Sequence, residues 1–196
     1  MQKVLARLPQ HGQVLGSPSA PVTVFEFADL QCPFCASYMQ TLFPKLLADD
    51  VAPGKVKMVL SMVWPLGDAS RWAAKVAAAA AAQDKMWNFV DAFYYKQGPE
   101  NSGYVTPGFV REIGADVPGL NVGRMMFDLS GRATYVLTKA MEAFARAHGV
   151  VATPTFLVER ADGRSEVVLG AGKLEAVIDS ALGGSGRKSP APQHVE

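Results

Sequence analysis

The sequence predicts an α/β chain with a long all-helical block set inside it, and three observations carry that prediction. An apolar run from Val22 to Phe27 leads directly into Cys32-Pro33-Phe34-Cys35, which holds both cysteines of the 196 residues. From Gly67 to Gly149 the pattern turns helical, with an uninterrupted alanine run at Ala77 to Ala82. Strand signals then return at Thr155 to Glu159 and Glu166 to Leu169.

Taken in order, the first residues read as irregular, and Gly16-Ser17-Pro18-Ser19-Ala20-Pro21 reads as a turn. Val22 to Phe27 is rich in β-branched and aromatic residues, the composition of a central strand. Pro33 suits the first position of the next helix, where its missing N–H leaves nothing unsatisfied. Ala36 to Ala48 continues that helix, with Tyr38, Met39, Leu42, Phe43, Leu46 and Leu47 at helical spacing and a kink expected at Pro44. Asp49 to Gly54 closes it, and Val56 to Trp64 forms a second strand, completing a β-α-β unit. Asp68 is placed to cap the alanine-rich helix, and a further helix runs through Trp87, Phe89, Phe93 and Tyr94. Thr106-Pro107 opens another helix that Gly114 ends, and Asn121 caps the next. The last helix of the block runs from Arg132 to His148 and stops at Gly149. A hairpin about Ala161-Asp162-Gly163-Arg164 follows, then a short helix from Lys173 to Leu182. Residues 183–196 have the composition of a disordered tail.

The 49% hydrophobic content is ample for a buried core, and the length suits one domain with an insertion. A net charge of +1 gives no overall field to gather nucleic acid or an anionic membrane surface. No stretch approaches the roughly 18 uninterrupted apolar residues of a membrane span, and Met1 to Ser17 lacks the apolar centre of a secretory signal. Two readings of location stay open: a cytoplasmic protein, or an exported one whose leader or anchor lies outside this sequence. Metal binding is disfavoured, since His11, His148 and His194 are scattered and four convergent ligands are needed for a structural zinc. Met58, Met62, Met125 and Met126 read as core filling, with a soft substrate surface as the alternative.

A bridge between Cys32 and Cys35 closes so short a loop that it removes little unfolded-chain entropy, so chemistry explains the pair better than stapling does. At a helix start, unpaired backbone N–H groups and the positive end of the helix dipole favour the Cys32 thiolate. Cys35, one turn deeper, is expected to keep a higher pKa and to resolve a mixed disulfide formed on Cys32. Glu26 shares a strand face with Val22 and Val24, so a central strand would bury its carboxylate and raise its pKa. It could then accept or return the Cys35 proton; the alternative is a strand-end glutamate that reaches water. Asp29 reads as a solvated loop charge. Phe34 reads as part of an exposed apolar lip for substrate, or as a core contact.

Phe25-Glu26-Phe27-Ala28-Asp29-Leu30-Gln31-Cys32-Pro33-Phe34-Cys35 and Val151-Ala152-Thr153-Pro154-Thr155-Phe156, with a helical block between them, resemble the thioredoxin superfamily and its bacterial DsbA-like branch. The resemblance implies a thioredoxin fold, a central mixed β-sheet flanked by helices, spanning 14–182 and interrupted by a helical insertion at 67–150. It implies catalysis by Cys32, Cys35 and Glu26, with Pro33, Phe34, Thr153 and a cis Pro154 contacting substrate. It implies no cofactor and no metal. Implied partners are protein or peptide thiols and disulfides, with a membrane quinone-linked reoxidant or a thioredoxin-like reductant, in an extracytoplasmic or periplasmic setting. The best-known oxidases of the branch carry histidine before the second cysteine, whereas this chain has Phe34, which neither donates a hydrogen bond nor carries charge. The chain therefore reads as a DsbA-like dithiol oxidase; a reductase or isomerase, and a peptide-binding or chaperone module with a structural bridge, are the alternatives.

Overall fold

The computed structural model describes residues 1–184. The segment expected to be irregular forms a short helix, α1 (Gln2–Leu5), and a small hairpin, β1 (Gln10–His11) and β2 (Val14–Leu15). The hairpin joins the sheet edge, with Val14 opposite Val59 and Leu15 opposite Met58, because Leu5 and Leu15 find full burial there. Gly16 turns the chain at φ +102°, where a Cβ would lie 2.9 Å from the Val51 side chain.

The central strand, β3 (Val22–Ala28), feeds α2 (Pro33–Thr41), with Pro33 in its first turn. Pro44 has no N–H to give the Gln40 carbonyl, and α2 stops at Thr41; the path continues through α3 (Phe43–Leu46) and a π-helical turn (Leu47–Val51). β4 (Val56–Met62) pairs parallel with β3, as a β-α-β unit requires. The helical block comprises α4 (Asp68–Ala81), α5 (Met86–Tyr95), α6 (Pro107–Ala115), α7 (Val122–Asp128) and α8 (Arg132–Ala147). β5 (Thr155–Arg160) and β6 (Ser165–Leu169) form the antiparallel hairpin, and α9 (Leu174–Ala181) closes the described chain. Among the described residues the sheet order is β1-β2-β4-β3-β5-β6, a mixed sheet flanked by helices.

Two local expectations are corrected. Asp68 is the first helical residue, not a cap; Gly67 precedes it at φ +104°, with no side-chain cap. Gly114 does not end α6 but sits inside it, where a Cβ would come within 3.1 Å of Val122 and 3.3 Å of Met125; its role is close approach of α6 to α7. The caps at Thr106, which accepts from the Phe109 amide, and Asn121, which accepts from the Arg124 amide, stand as read. Of the tail expected at 183–196, Gly183 and Gly184 are turn residues at positive φ, and 185–196 lie outside the described residues.

Strand alternation divides the core. Val22, Val24 and Glu26 face the side covered by α2, where Tyr38 meets Phe156 edge-on at 4.8 Å and Phe43 stacks on Trp87 at 5.3 Å. Phe25 and Phe27 face the other side, where Phe144 of α8 packs on both. Met58, Met62 and Met125 are buried core residues.

Candidate active site

Cys32 is the N-cap of α2, with extended backbone (φ −73°, ψ 119°), and its amide donates to the Asp29 carbonyl at 3.0 Å. Its Sγ donates to the Thr153 carbonyl at 3.4 Å, a bond that belongs to the protonated form. A hydrogen bond from the Cys35 thiol is the largest influence on Cys32; the Thr153 side chain and the backbone amides of Cys35 and Phe34 add to it, and burial opposes it. The balance brings its pKa down to about 6. Cys32 as a whole residue is only 5% exposed.

Cys35 is fully buried, and both cysteines are free thiols. Burial pushes the Cys35 thiol well above its ordinary range, with the hydrogen bond to Cys32 and the Cys32 charge acting the same way. Beneath it Glu26 has no exposed surface, and neither carboxyl oxygen has a hydrogen-bond partner among the described residues. Burial alone raises its pKa to about 8. The Tyr38 hydroxyl, likewise buried and unpartnered, feels the charges of Glu26 and Cys35.

The Thr153–Pro154 peptide bond is cis, and the loop carrying it is tied down at both ends. The Gly170 amide donates to the Pro154 carbonyl, and the Thr155 hydroxyl donates to the Ala152 carbonyl, each at 2.8 Å. Phe34, 72% exposed, borders a depression of about 360 Å³ shared with Tyr38, Thr153, Pro154 and Leu169. Pro33 is exposed beside it. The fold thus gathers Cys32, Phe34, Thr153 and Pro154 at one mouth, with Cys35 and Glu26 below.

Asp29, expected to be a solvated charge, is fully buried. Its carboxylate accepts from the amides of Gln31 at 2.9 Å and Leu66 at 3.2 Å; burial raises its pKa, while the Ser70 hydroxyl and those two amides work to lower it. It is one of several polar groups by which the helical block holds the redox turn. The Tyr94 hydroxyl donates to the Asp29 carbonyl at 3.0 Å. Gln97 Nε2 donates to the carbonyls of Leu30 at 2.8 Å and Cys32 at 3.2 Å, while Gln31 Nε2 donates to the Ser70 hydroxyl and Gln31 Oε1 accepts from the Asn101 amide. Two polar residues, Asp29 and Gln31, in an otherwise apolar approach to Cys32 were the available signal. Tyr94 and Gln97 left none, since their partners are main-chain carbonyls 65 to 67 residues away. Among the described residues no three histidine, cysteine or acidic side chains converge as a metal site would require.

Comparison with known proteins places this geometry. The family model described as Thioredoxin matches residues 9–167. Disulfide bond formation protein D of Bacillus subtilis is 35% identical over 102 residues, which cover 51% of this chain and 46% of that protein, so the match spans about half of the relative's length. The oxidised BdbD structure from Bacillus subtilis superposes with a TM-score of 0.77 at 25% identity, covering 90% of this chain and 97% of that one. Pseudomonas aeruginosa DsbA2 superposes with a TM-score of 0.70 at 27% identity, over 88% and 95% of the two chains. With a thioredoxin core, a helical block between the redox turn and the cis-proline loop, and these likenesses, the chain belongs to the thioredoxin family, in its DsbA-like branch.

Proposed function

We propose that this chain is a thiol-disulfide oxidoreductase, a DsbA-like dithiol oxidase that exchanges disulfides with protein thiols through a mixed disulfide on Cys32. The reading is carried by one arrangement: Cys32 caps the start of α2 against the Thr153 carbonyl, with Cys35 fully buried behind it, so that the first thiol's pKa is lowered and the second's raised. The names of the relatives, which form disulfide bonds, support the same direction.

In the oxidised protein a client thiolate attacks Cys32 Sγ; the Cys32–Cys35 bond breaks and its electron pair leaves on Cys35. Cys35 takes up a proton, and we assign its source to Glu26, protonated at neutral pH with a pKa of about 8 and near enough for its charge to act on Cys35. A second client thiolate then attacks the client sulfur of the mixed disulfide, and Cys32 departs as a thiolate. The client loses two electrons and the pair gains them. Thr153 offers main-chain pairing to an extended client, and Pro33, Phe34 and Pro154 supply apolar contact. Residues 14–182 act as one domain, whose insertion at 67–150 clasps the redox turn.

Regeneration needs a two-electron acceptor, which we assign to a membrane quinone-linked reoxidant outside the cytoplasm. No helix among the described residues is long and apolar enough to cross a membrane. Phe34, whose side chain neither carries charge nor donates a hydrogen bond to Cys32, favours weighing a reductase or isomerase fed by a thioredoxin-like reductant. Titration against glutathione decides between them. The expected potential falls below the roughly −120 mV of DsbA, and a value that high would refute the milder poise. Trapping clients on a Cys35→Ser variant checks the mixed disulfide, and no trapped species would end the exchanger reading.

A further inference from the structure

Behind the cis-proline loop, away from Phe34, lies a second surface that the chemistry above does not use. Val151, 87% exposed, and Ala152 border a depression of about 320 Å³ completed by Trp64, Glu142 and Arg146. Trp64 and Glu142 also line the adjoining hollow, whose other walls are Arg71 and Lys75 of α4 and Tyr135 and Lys139 of α8. The two hollows, the second of about 60 Å³, share Trp64 and Glu142 as walls and together make a track whose lining residue Ala152 is next to Thr153.

Its charge is one-sided. Four cations, Arg71, Lys75, Lys139 and Arg146, surround a single carboxylate, Glu142, in a chain whose net charge is only +1. Glu142 is already engaged by Lys139 at 2.7 Å and Arg146 at 3.6 Å. Among the described residues neither Arg71 nor Lys75 makes an ion pair within 4.0 Å, although both are exposed and stand one helical turn apart on one face of α4, where like charges repel. The aromatic and aliphatic floor with a cationic rim suits an extended segment bearing carboxylates.

We infer that this track receives an acidic stretch of the client polypeptide beside its reacting cysteine, so that client carboxylates select which thiols react fastest. The inference rests on the exchanger reading above. Continuity with Thr153 supports it: a client chain paired there continues over Ala152 toward Arg146. From Arg146 to Lys139 is seven residues along α8, about 10 Å, which about three extended residues cover.

The test uses peptides with two cysteines, preceded or followed by three glutamates or by three glutamines, and follows their oxidation by the oxidised protein at low salt. The glutamate peptide is expected to react about tenfold faster than its glutamine counterpart in one of the two placements, the effect of two exposed charge pairs of ordinary strength. The advantage should shrink with added salt and fall to nearly one in an Arg71→Gln, Lys75→Gln variant that melts like the parent. Equal rates in the parent protein, or an advantage that survives in the variant, overturn the inference and leave the exchanger reading intact. Loss of sedimentation with phosphatidylglycerol vesicles in the variant, with peptide rates unchanged, overturns it in favour of a lipid surface. No oxidation of any peptide removes the exchanger reading and this inference together.

Discussion

Replacing Glu26 by glutamine should make the oxidised protein more stable at alkaline pH while leaving it nearly unchanged at pH 4 to 5. Glu26 has no solvent exposure and no hydrogen-bond partner for either carboxyl oxygen among the described residues, so its charged form is disfavoured by burial. Its folded-state pKa is about 8 against an ordinary 4.5. Below 4.5 the group is protonated in both states and contributes no pH dependence. Between 4.5 and 8 the folded protein holds a proton that the unfolded chain has released, so stability falls as pH rises. At about 1.4 kcal/mol per pH unit the span amounts to an upper figure of about 5 kcal/mol, reached above pH 8. Closing the Cys32–Cys35 bond removes both thiols from the titration, and the carboxyl shift persists because burial is its only cause. Urea unfolding of the two oxidised proteins at whole pH values from 4 to 9 measures the difference. Glutamine should gain roughly 1 kcal/mol per pH unit between pH 5 and 8 and then level off. A difference that stays flat across this range would show that the carboxylate is hydrated, and the proton-transfer role would lose its physical basis.

Three other outcomes follow from the site. Alkylation of Cys32 should show a midpoint near pH 6, and Cys35→Ala should move it upward, since the Cys35 thiol is the largest stabiliser of the thiolate; an unmoved midpoint would refute that assignment. Gln97→Leu leaves the Leu30 carbonyl without its donor and the Cys32 carbonyl with one fewer, and should lower stability by about 1–3 kcal/mol in urea melts; Tyr94→Phe should lower it by about 1 kcal/mol. A change under 0.5 kcal/mol for Gln97→Leu would mean that water replaces the side chain. Asp29→Ala strips the Gln31 and Leu66 amides of their acceptor and should destabilise by about 1–3 kcal/mol, whereas a solvated Asp29 would give almost no effect.

Much of the fold was legible because its signals act over one turn or one strand. Thr106 and Asn121 accept from amides three residues ahead, Pro33 opens α2, and Val22 to Phe27 carries strand-forming side chains. The side on which Glu26 lies followed from alternation, and its burial from β3 being central. Pro44 interrupted the helix within two residues of the expected kink, since a missing N–H acts on a carbonyl four residues back.

Local patterns thus specify the order and type of the elements, the pairing of a helix-start cysteine with a deeper one, and the face that Glu26 occupies. Which polar groups lose water depends on contacts between distant segments. Asp29 looks like a loop charge until Leu66, just before the helical block, and Ser70 of α4 close over it. Gly114 looks like a stop until α7 packs against it, and the first fifteen residues look irregular until β4 offers them an edge. A net charge of +1 likewise hides four cations gathered from α4 and α8 around Trp64. In each case the deciding contact joins residues distant in sequence, and desolvation and charge crowding depend on that distance in space, which no local pattern encodes.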